Sequence, residues 1–236
     1  MKTIYFFLFW ARNFLFPAEC AICDSGFISI SEIRCGLCVK CQASLNPPEG
    51  KKCNICGKPL ISEIDACLSC RNGTKHSYDR LWVFFPYTGK YLKLLTEYKF
   101  NKNLPLANFL CEKILSVLNA PELKNACIVP VPPRPGKIKE NGWDQVEYLV
   151  KKLRKLTGGK IPVSRCLKRR KSKIQKLLDR KGRLKNLQGR IFAHGSSPKI
   201  ALIIDDVITT GSTIEACSAI LKQNGAEKVY SLCLFH

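Results

Sequence analysis

Ile203-Ile204-Asp205-Asp206-Val207-Ile208-Thr209-Thr210-Gly211-Ser212-Thr213 is the stretch that decides the fold. The β-branched run Ile200–Ile204 predicts a strand. Two carboxylates follow it, then a short Thr/Gly/Ser loop. A helix is predicted over Thr213–Gln223, stopped at Asn224-Gly225. A loop that opens a helix in this way forms an anion cradle, because its backbone N–H groups and the helix N-terminus point at the ligand. Gly211 lets the backbone come close to a phosphate, and the hydroxyls of Thr209, Thr210, Ser212 and Thr213 add donors. Asp205 and Asp206 stand at the strand's carboxyl end, where open α/β sheets bind ligands. Carboxylates do not bind phosphate; they suit ribose hydroxyls, or a Mg²⁺ held mainly by the ligand. The plain alternative is a strand–turn–helix with a capping Ser or Thr.

The chain around this stretch alternates strand and helix patterns. Leu81–Tyr87 and Ala126–Val131 read as strands, Ile161–Cys166 as a short one, and Lys228–Leu234 as the last. Lys90–Tyr98, Pro105–Leu118 and Gln145–Leu156 read as helices, the last closed by Gly158-Gly159. This alternation predicts an α/β fold with a parallel, helix-flanked sheet. Its 236 residues suffice for one ordinary domain plus a small one. The expected division is an apolar helix over 1–16, a cysteine-rich module over 17–75 and the α/β domain over 76–236.

Four cysteine pairs crowd the module: Cys20/Cys23, Cys38/Cys41, Cys53/Cys56 and Cys67/Cys70. Two residues between thiolates let both sulfurs reach one Zn²⁺, and two pairs complete a closed, structural four-cysteine site. Metal binding would supply the folding energy that so short a module lacks. Gly57 suits the knuckle turn after Cys56. The simplest pairing is sequential, giving two ribbons, although Cys35 could replace Cys38 and one zinc with idle pairs is an alternative. Redox Cys-x-x-Cys chemistry needs one pair beside a βαβ unit and fits four pairs poorly. The scattered Cys111, Cys127, Cys166, Cys217 and Cys233 read mostly as buried thiols. His76, His194 and His236 have no metal spacing and receive no role.

Composition narrows the partners. An apolar fraction of 46% excludes a mainly disordered chain, and a net charge of +21 points to an anionic partner. Residues 134–190 hold 20 Lys/Arg against 4 Asp/Glu, so +16 of that charge lies in 57 residues. Lys168, Arg169, Arg170, Lys171 and Lys173 begin a band that would bind single-stranded DNA electrostatically, without aromatic stacking. A solvated helix face or a surface loop is the ordinary reading of such a run. Ile4–Ala11 is too short to span a membrane. It reads as an amphipathic helix docked on the chain, or as a membrane-surface contact through Phe6, Phe7, Phe9 and Trp10. With no transmembrane segment and no export signal, a cytoplasmic location, peripheral to the inner membrane face at most, and reduced cysteines are expected.

The stretch Leu202–Ile214 resembles the 5-phosphoribosyl-1-pyrophosphate (PRPP) motif of type I phosphoribosyltransferases. Cysteine pairs ahead of a domain with Val129-Pro130-Val131-Pro132 and this loop resemble the ComF/GntX, or ComFC-like, family, over nearly the whole chain. The resemblance implies a type I phosphoribosyltransferase fold behind a double zinc ribbon, PRPP with Mg²⁺ as ligand, and a link to DNA uptake and its machinery in natural competence. It implies that Thr209, Thr210, Gly211, Ser212 and Thr213 hold the 5-phosphate while Asp205 and Asp206 serve the ribose. Val131, Pro132, Pro133 and Arg134 would form the pyrophosphate loop. Gln175, Arg183 and Asn186 match the family's Gln…Arg-x-x-Asn block, followed by Phe192. The Arg-Gly-Phe-Asn-Gln block reads Asn141-Gly142-Trp143-Asp144-Gln145 here, which removes a cation and adds an anion. Pyrophosphate binding should then be weaker, or lean on Arg134, Lys137 and Lys139. The implied activities are a Mg²⁺-dependent transferase, or a phosphate- or DNA-binding factor without transfer.

Overall fold

The computed structural model describes residues 18–48, 50–170 and 190–236. The expected helix over 1–16, together with Lys171, Lys173, Gln175, Arg183 and Asn186, lies outside them. The chain divides into two compact units, one made of Met1–Pro47 with Tyr87–Leu110, the other of Pro48–Pro86 with Cys111–His236.

The first unit holds one cysteine ribbon and two short helices, α1 (Ile30–Cys35) and α2 (Val39–Ser44), with α4 (Gly89–Lys99) and the start of α5 (Leu106–Leu118). Ser29 and Glu32 form a reciprocal capping box on α1, and Gly36 ends it at φ 74°. Leu37, Leu45, Leu94, Leu95, Tyr98 and Leu106 are fully buried within it. Glu32 is buried too, and is satisfied by the amides of Ile28, Ser29 and Val39 at 2.8–3.0 Å.

The second unit is built on a four-stranded parallel sheet in the order β1 (Arg80–Phe85), β6 (Lys228–Phe235), β5 (Ile200–Val207), β2 (Cys127–Pro130). Ala201 and Ile203 of β5 share one face with Val129, Val229 and Cys233, under Ile214, Cys217 and Leu221 of α8 (Ser212–Gln223). The period of two sends Leu202 and Ile204 to the other face. Against β2 and β5 lies α7 (Gln145–Leu156), which buries Val146, Leu149, Val150 and Leu153, a single helical stripe.

Both sheet edges are covered, which removes the pairing hazard of a bare strand. On β1, the Leu81 amide donates to Ile55 O at 2.8 Å and Lys52 Nζ donates to Val83 O at 2.7 Å. On β2, the expected strand at Ile161–Cys166 is replaced by one parallel bridge, Ile128 to Val163. Pro162 offers no N–H to extend a ladder, although its carbonyl accepts from Ile128 at 2.9 Å. Regular pairing begins one step later, where β3 (Leu167–Arg169) joins β4 (Ile191–Ala193) in an antiparallel pair. The remaining helices are α3 (Leu68–Arg71) and α6 (Lys137–Asn141). Among the described residues no helix is long and apolar enough to cross a membrane.

Candidate functional site

The cysteines gather as their spacing predicts. Cys20, Cys23, Cys38 and Cys41 form one group, and Cys53, Cys56, Cys67 and Cys70 a second, with all ligand atoms of each within 4.8 Å of one another. Cys23–Cys38 and Cys56–Cys67 have sulfurs 3.7 Å apart. That is no disulfide, and it matches the edge of about 3.8 Å of a tetrahedron with Zn–S bonds of about 2.3 Å. The donor sets therefore fit two structural zinc ions. Cys35 ends α1 outside the first group, so Cys38 is its ligand. In each group the first pair sits on a knuckle and the second pair starts a helix, with Cys38 and Cys67 as N-caps at nearly equal dihedrals. Burial makes Cys111, Cys217 and Cys233 poor nucleophiles: it pushes Cys111 up to about 12, and burial with Asp205 also raises Cys217 and Cys233.

At the carboxyl edge of the sheet, β5 continues through both acids, since Asp205 pairs with Cys233 and Val207 with Phe235. Successive strand residues face opposite ways, and the two carboxylates separate accordingly. Asp205 lies on the α8 side, where its electrostatic neighbours include Cys217 and Arg169, and it accepts from the Asp206 amide at 2.8 Å. Asp206 accepts from Gln145 Nε2 at 2.8 Å at the start of α7. Gln145 in turn accepts from Lys137, whose ammonium also pairs with Asp144 at 2.5 Å. Asp144 caps α7 through the amides of Val146 and Glu147, both at 3.0 Å. The Asn141–Gln145 block is thus wired to the second acid.

The turn after β2 runs beside the same edge, with the Val131 amide on Ile204 O at 3.0 Å. Val131 and Pro132 are buried, Pro133 half-buried and Arg134 exposed, where it pairs with Glu140. The loop after β5 begins where Ile208 donates to Phe235 O at 2.8 Å. Gly211 adopts φ 75° as N-cap of α8 and offers no side-chain cap. Thr210 Oγ1 and buried Ser212 Oγ lie 2.8 Å apart. Among the described residues, the amides of Thr209, Thr210 and Gly211 donate to no backbone carbonyl. The three residues line a cleft of about 860 Å³, which Lys58, Lys75 and His76 also line.

Two residues have roles that the sequence did not disclose. Arg169 belongs to β3 rather than to an outward band; burial lowers its pKa while Asp205 opposes that shift. His76 contacts Cys70 and Glu215. Lys168 is exposed, and Arg170 stacks over Phe192 at 5.0 Å.

An α/β unit with a helix-flanked parallel sheet, joined in one chain to two four-cysteine groups, defines a double-zinc-ribbon α/β protein. The double zinc ribbon family model matches residues 11–71. The chain is similar to "Competence protein ComFC" of Streptococcus pneumoniae, 28% identical over 91% of this chain and 86% of that protein. It is similar to "Competence protein F" of Haemophilus influenzae, 27% identical over 82% and 87% of the two. It is similar as well to "DNA utilization protein YhgH" of Escherichia coli, 24% identical over 84% and 96%. Together, these relatives over most of the chain and the double zinc ribbon match support a ComFC-like family.

Proposed function

We propose that the carboxyl edge of the sheet binds PRPP, in a protein that serves DNA uptake. One observation carries the ligand reading. The amides of Thr209, Thr210 and Gly211 have no internal carbonyl acceptor among the described residues, their residues line a cleft, and the loop directly follows the two buried acids at the end of β5. A 5-phosphate seated on those amides would complete their hydrogen bonding and lie against the positive end of α8. Asp205 and Asp206 would meet the ribose side. They are nearly buried and each already accepts a hydrogen bond, so they fit a hydrated Mg²⁺ carried by the substrate rather than a dedicated metal cage. The turn Val131–Arg134 would face the pyrophosphate. There Arg134 and Lys137 are engaged by Glu140, Asp144 and Gln145, so a leaving pyrophosphate would have to draw them away. A transferase would use those cations to stabilise the departing charge. The DNA-uptake role is supported by relatives named for competence and for DNA utilization.

Calorimetric titration of the full chain with PRPP and Mg²⁺ tests the ligand reading, and pyrophosphate release over a panel of acceptors tests transfer. Saturable PRPP binding abolished by Asp205→Ala plus Asp206→Ala is the expected result; no binding at millimolar PRPP contradicts it. The second reading is a factor that binds single-stranded DNA without transfer, favoured by the relatives' names and by exposed Lys168. It predicts no pyrophosphate release, with DNA affinity that falls steeply with salt and survives the double acid substitution.

A further inference from the structure

His76 and Glu215 are 139 positions apart and meet in the second unit, with His76 Nδ1 2.5 Å from Glu215 Oε1. On its other side His76 Nε2 lies 3.7 Å from Cys70 Sγ, and the ring stacks on buried Tyr78 with centroids 4.7 Å apart. Glu215 Oε2 accepts from the Ser77 amide at 2.9 Å. Glu215 belongs to the first turn of α8, and its own amide donates to the Gly211 carbonyl at 2.9 Å. A continuous line of polar contacts thus runs from a sulfur of the second four-cysteine group, through one imidazole and one carboxylate, to the glycine of the phosphate loop. Cys56, Cys67 and Cys70 line the same cleft as Thr209, Thr210 and Gly211.

Partners behind a metal ligand fix that ligand's orientation, and losing one typically costs roughly 10–100-fold in metal affinity. Here the partner of the sulfur also anchors the start of a helix. Both side chains are largely sheltered, at 17% and 23% exposure, so the contact holds one geometry rather than fluctuating in water. An anion site made of backbone amides depends on their being in place before the ligand arrives.

We infer that His76 is a positioning residue that couples the second zinc group to the phosphate loop, so that the loop's grip on a phosphate ester depends on Cys53, Cys56, Cys67 and Cys70 closing on their metal. This inference rests on the phosphate-loop reading above. Two substitutions split the residue's two contacts. His76→Gln keeps an amide near the Nε2 position, towards Cys70. His76→Asn keeps one near the Nδ1 position, towards Glu215.

The experiment uses the full chain loaded with zinc. It measures zinc content and its loss to a chelator, calorimetric affinity for ribose 5-phosphate, and hydrogen exchange over residues 208–216. His76→Gln is expected to retain two zinc ions per chain. It should bind ribose 5-phosphate about 5–10-fold more weakly, the loss of one charge-assisted hydrogen bond, and exchange faster over 208–216. His76→Asn is expected to keep the affinity and release zinc faster. Unchanged affinity and exchange in His76→Gln would overturn the inference, as would zinc loss from Cys56→Ser that leaves exchange over 208–216 unaltered. Failure of the wild-type chain to bind ribose 5-phosphate would sink the phosphate-loop reading, while the exchange data would still decide the coupling.

Discussion

The two cysteine ribbons repeat one another closely and serve different ends. Each makes the same antiparallel bridge around its knuckle, Glu19 to Gly26 in the first and Lys52 to Pro59 in the second. Each places a left-handed residue directly after the knuckle, Asp24 at φ 59° and Gly57 at φ 70°. In the first, Asp24 reaches Lys93 at 3.2 Å on the surface. In the second, a Cβ at Gly57 would stand 2.8 Å from Leu81 O, because the knuckle lies against β1. The second ribbon thus covers a sheet edge and sends His76 to α8, while the first packs with α4. One metal-built motif, used twice, becomes a local fold support in one unit and a wall of the candidate site in the other.

Removing a zinc ligand from each ribbon should break the comparison most sharply. Cys23→Ser and Cys56→Ser should each lower zinc content from two ions to one, with loss of a folding contribution on the order of 10 kcal/mol within that ribbon. Only Cys56→Ser should also perturb Trp82 on β1, read by its fluorescence during thermal unfolding; equal perturbation by both would erase the distinction. Next come the knuckle residues. Gly57→Ala should cost about 3 kcal/mol, from left-handed strain plus overlap with the Leu81 carbonyl. Asp24→Gly should stay within about 1 kcal/mol of wild type, since it relieves strain and loses only a surface pair. Denaturant unfolding of both variants checks the contrast.

Glu32 belongs to the first ribbon alone. The Val39 amide, the strongest of its partners, holds its carboxyl below the usual glutamate value, against the upward pull of burial. Glu32→Gln should cost about 2 kcal/mol at neutral pH, seen as faster hydrogen exchange over 28–39. A depressed carboxyl pKa gives stability that is full above the unfolded value of about 4.3 and fades as acid protonates the folded carboxylate. Wild type and variant should therefore converge in acid; a gap that widens there would refute the assignment. Lys93→Ala should cost about 1 kcal/mol in thermal unfolding, because its pair with Asp24 is 71% exposed on the acid side and screened by water, while its hydrogen bond to the Ile22 carbonyl at 2.8 Å is lost.

Much of this was legible in the residues, for physical reasons. Zinc knuckles depend on local spacing, so all eight ligands could be read directly from the chain. Apolar runs located every strand of the main sheet, because a parallel strand buried on both faces needs an unbroken run. The sequence ended β5 at Ile204, since acids are poor strand formers. The structure carries β5 on to Val207 because β6 supplies Cys233 and Phe235 as partners across the ladder. Leu167–Arg169 looked like part of a charge run; its strand character comes from pairing with Ile191–Ala193, which no local pattern encodes. His76 was invisible for the same reason: its meaning lies in Glu215, far along the chain.

The loop Thr209–Thr213 is the point on which the functional reading turns, and diffraction from crystals soaked with PRPP and Mg²⁺ tests it most directly. The account predicts the 5-phosphate within hydrogen-bond distance of the amides of residues 209–213, with the ribose hydroxyls towards Asp205 and Asp206. A vacant loop at saturating PRPP, or the ligand seated on Lys168 and Arg170 instead, would contradict it.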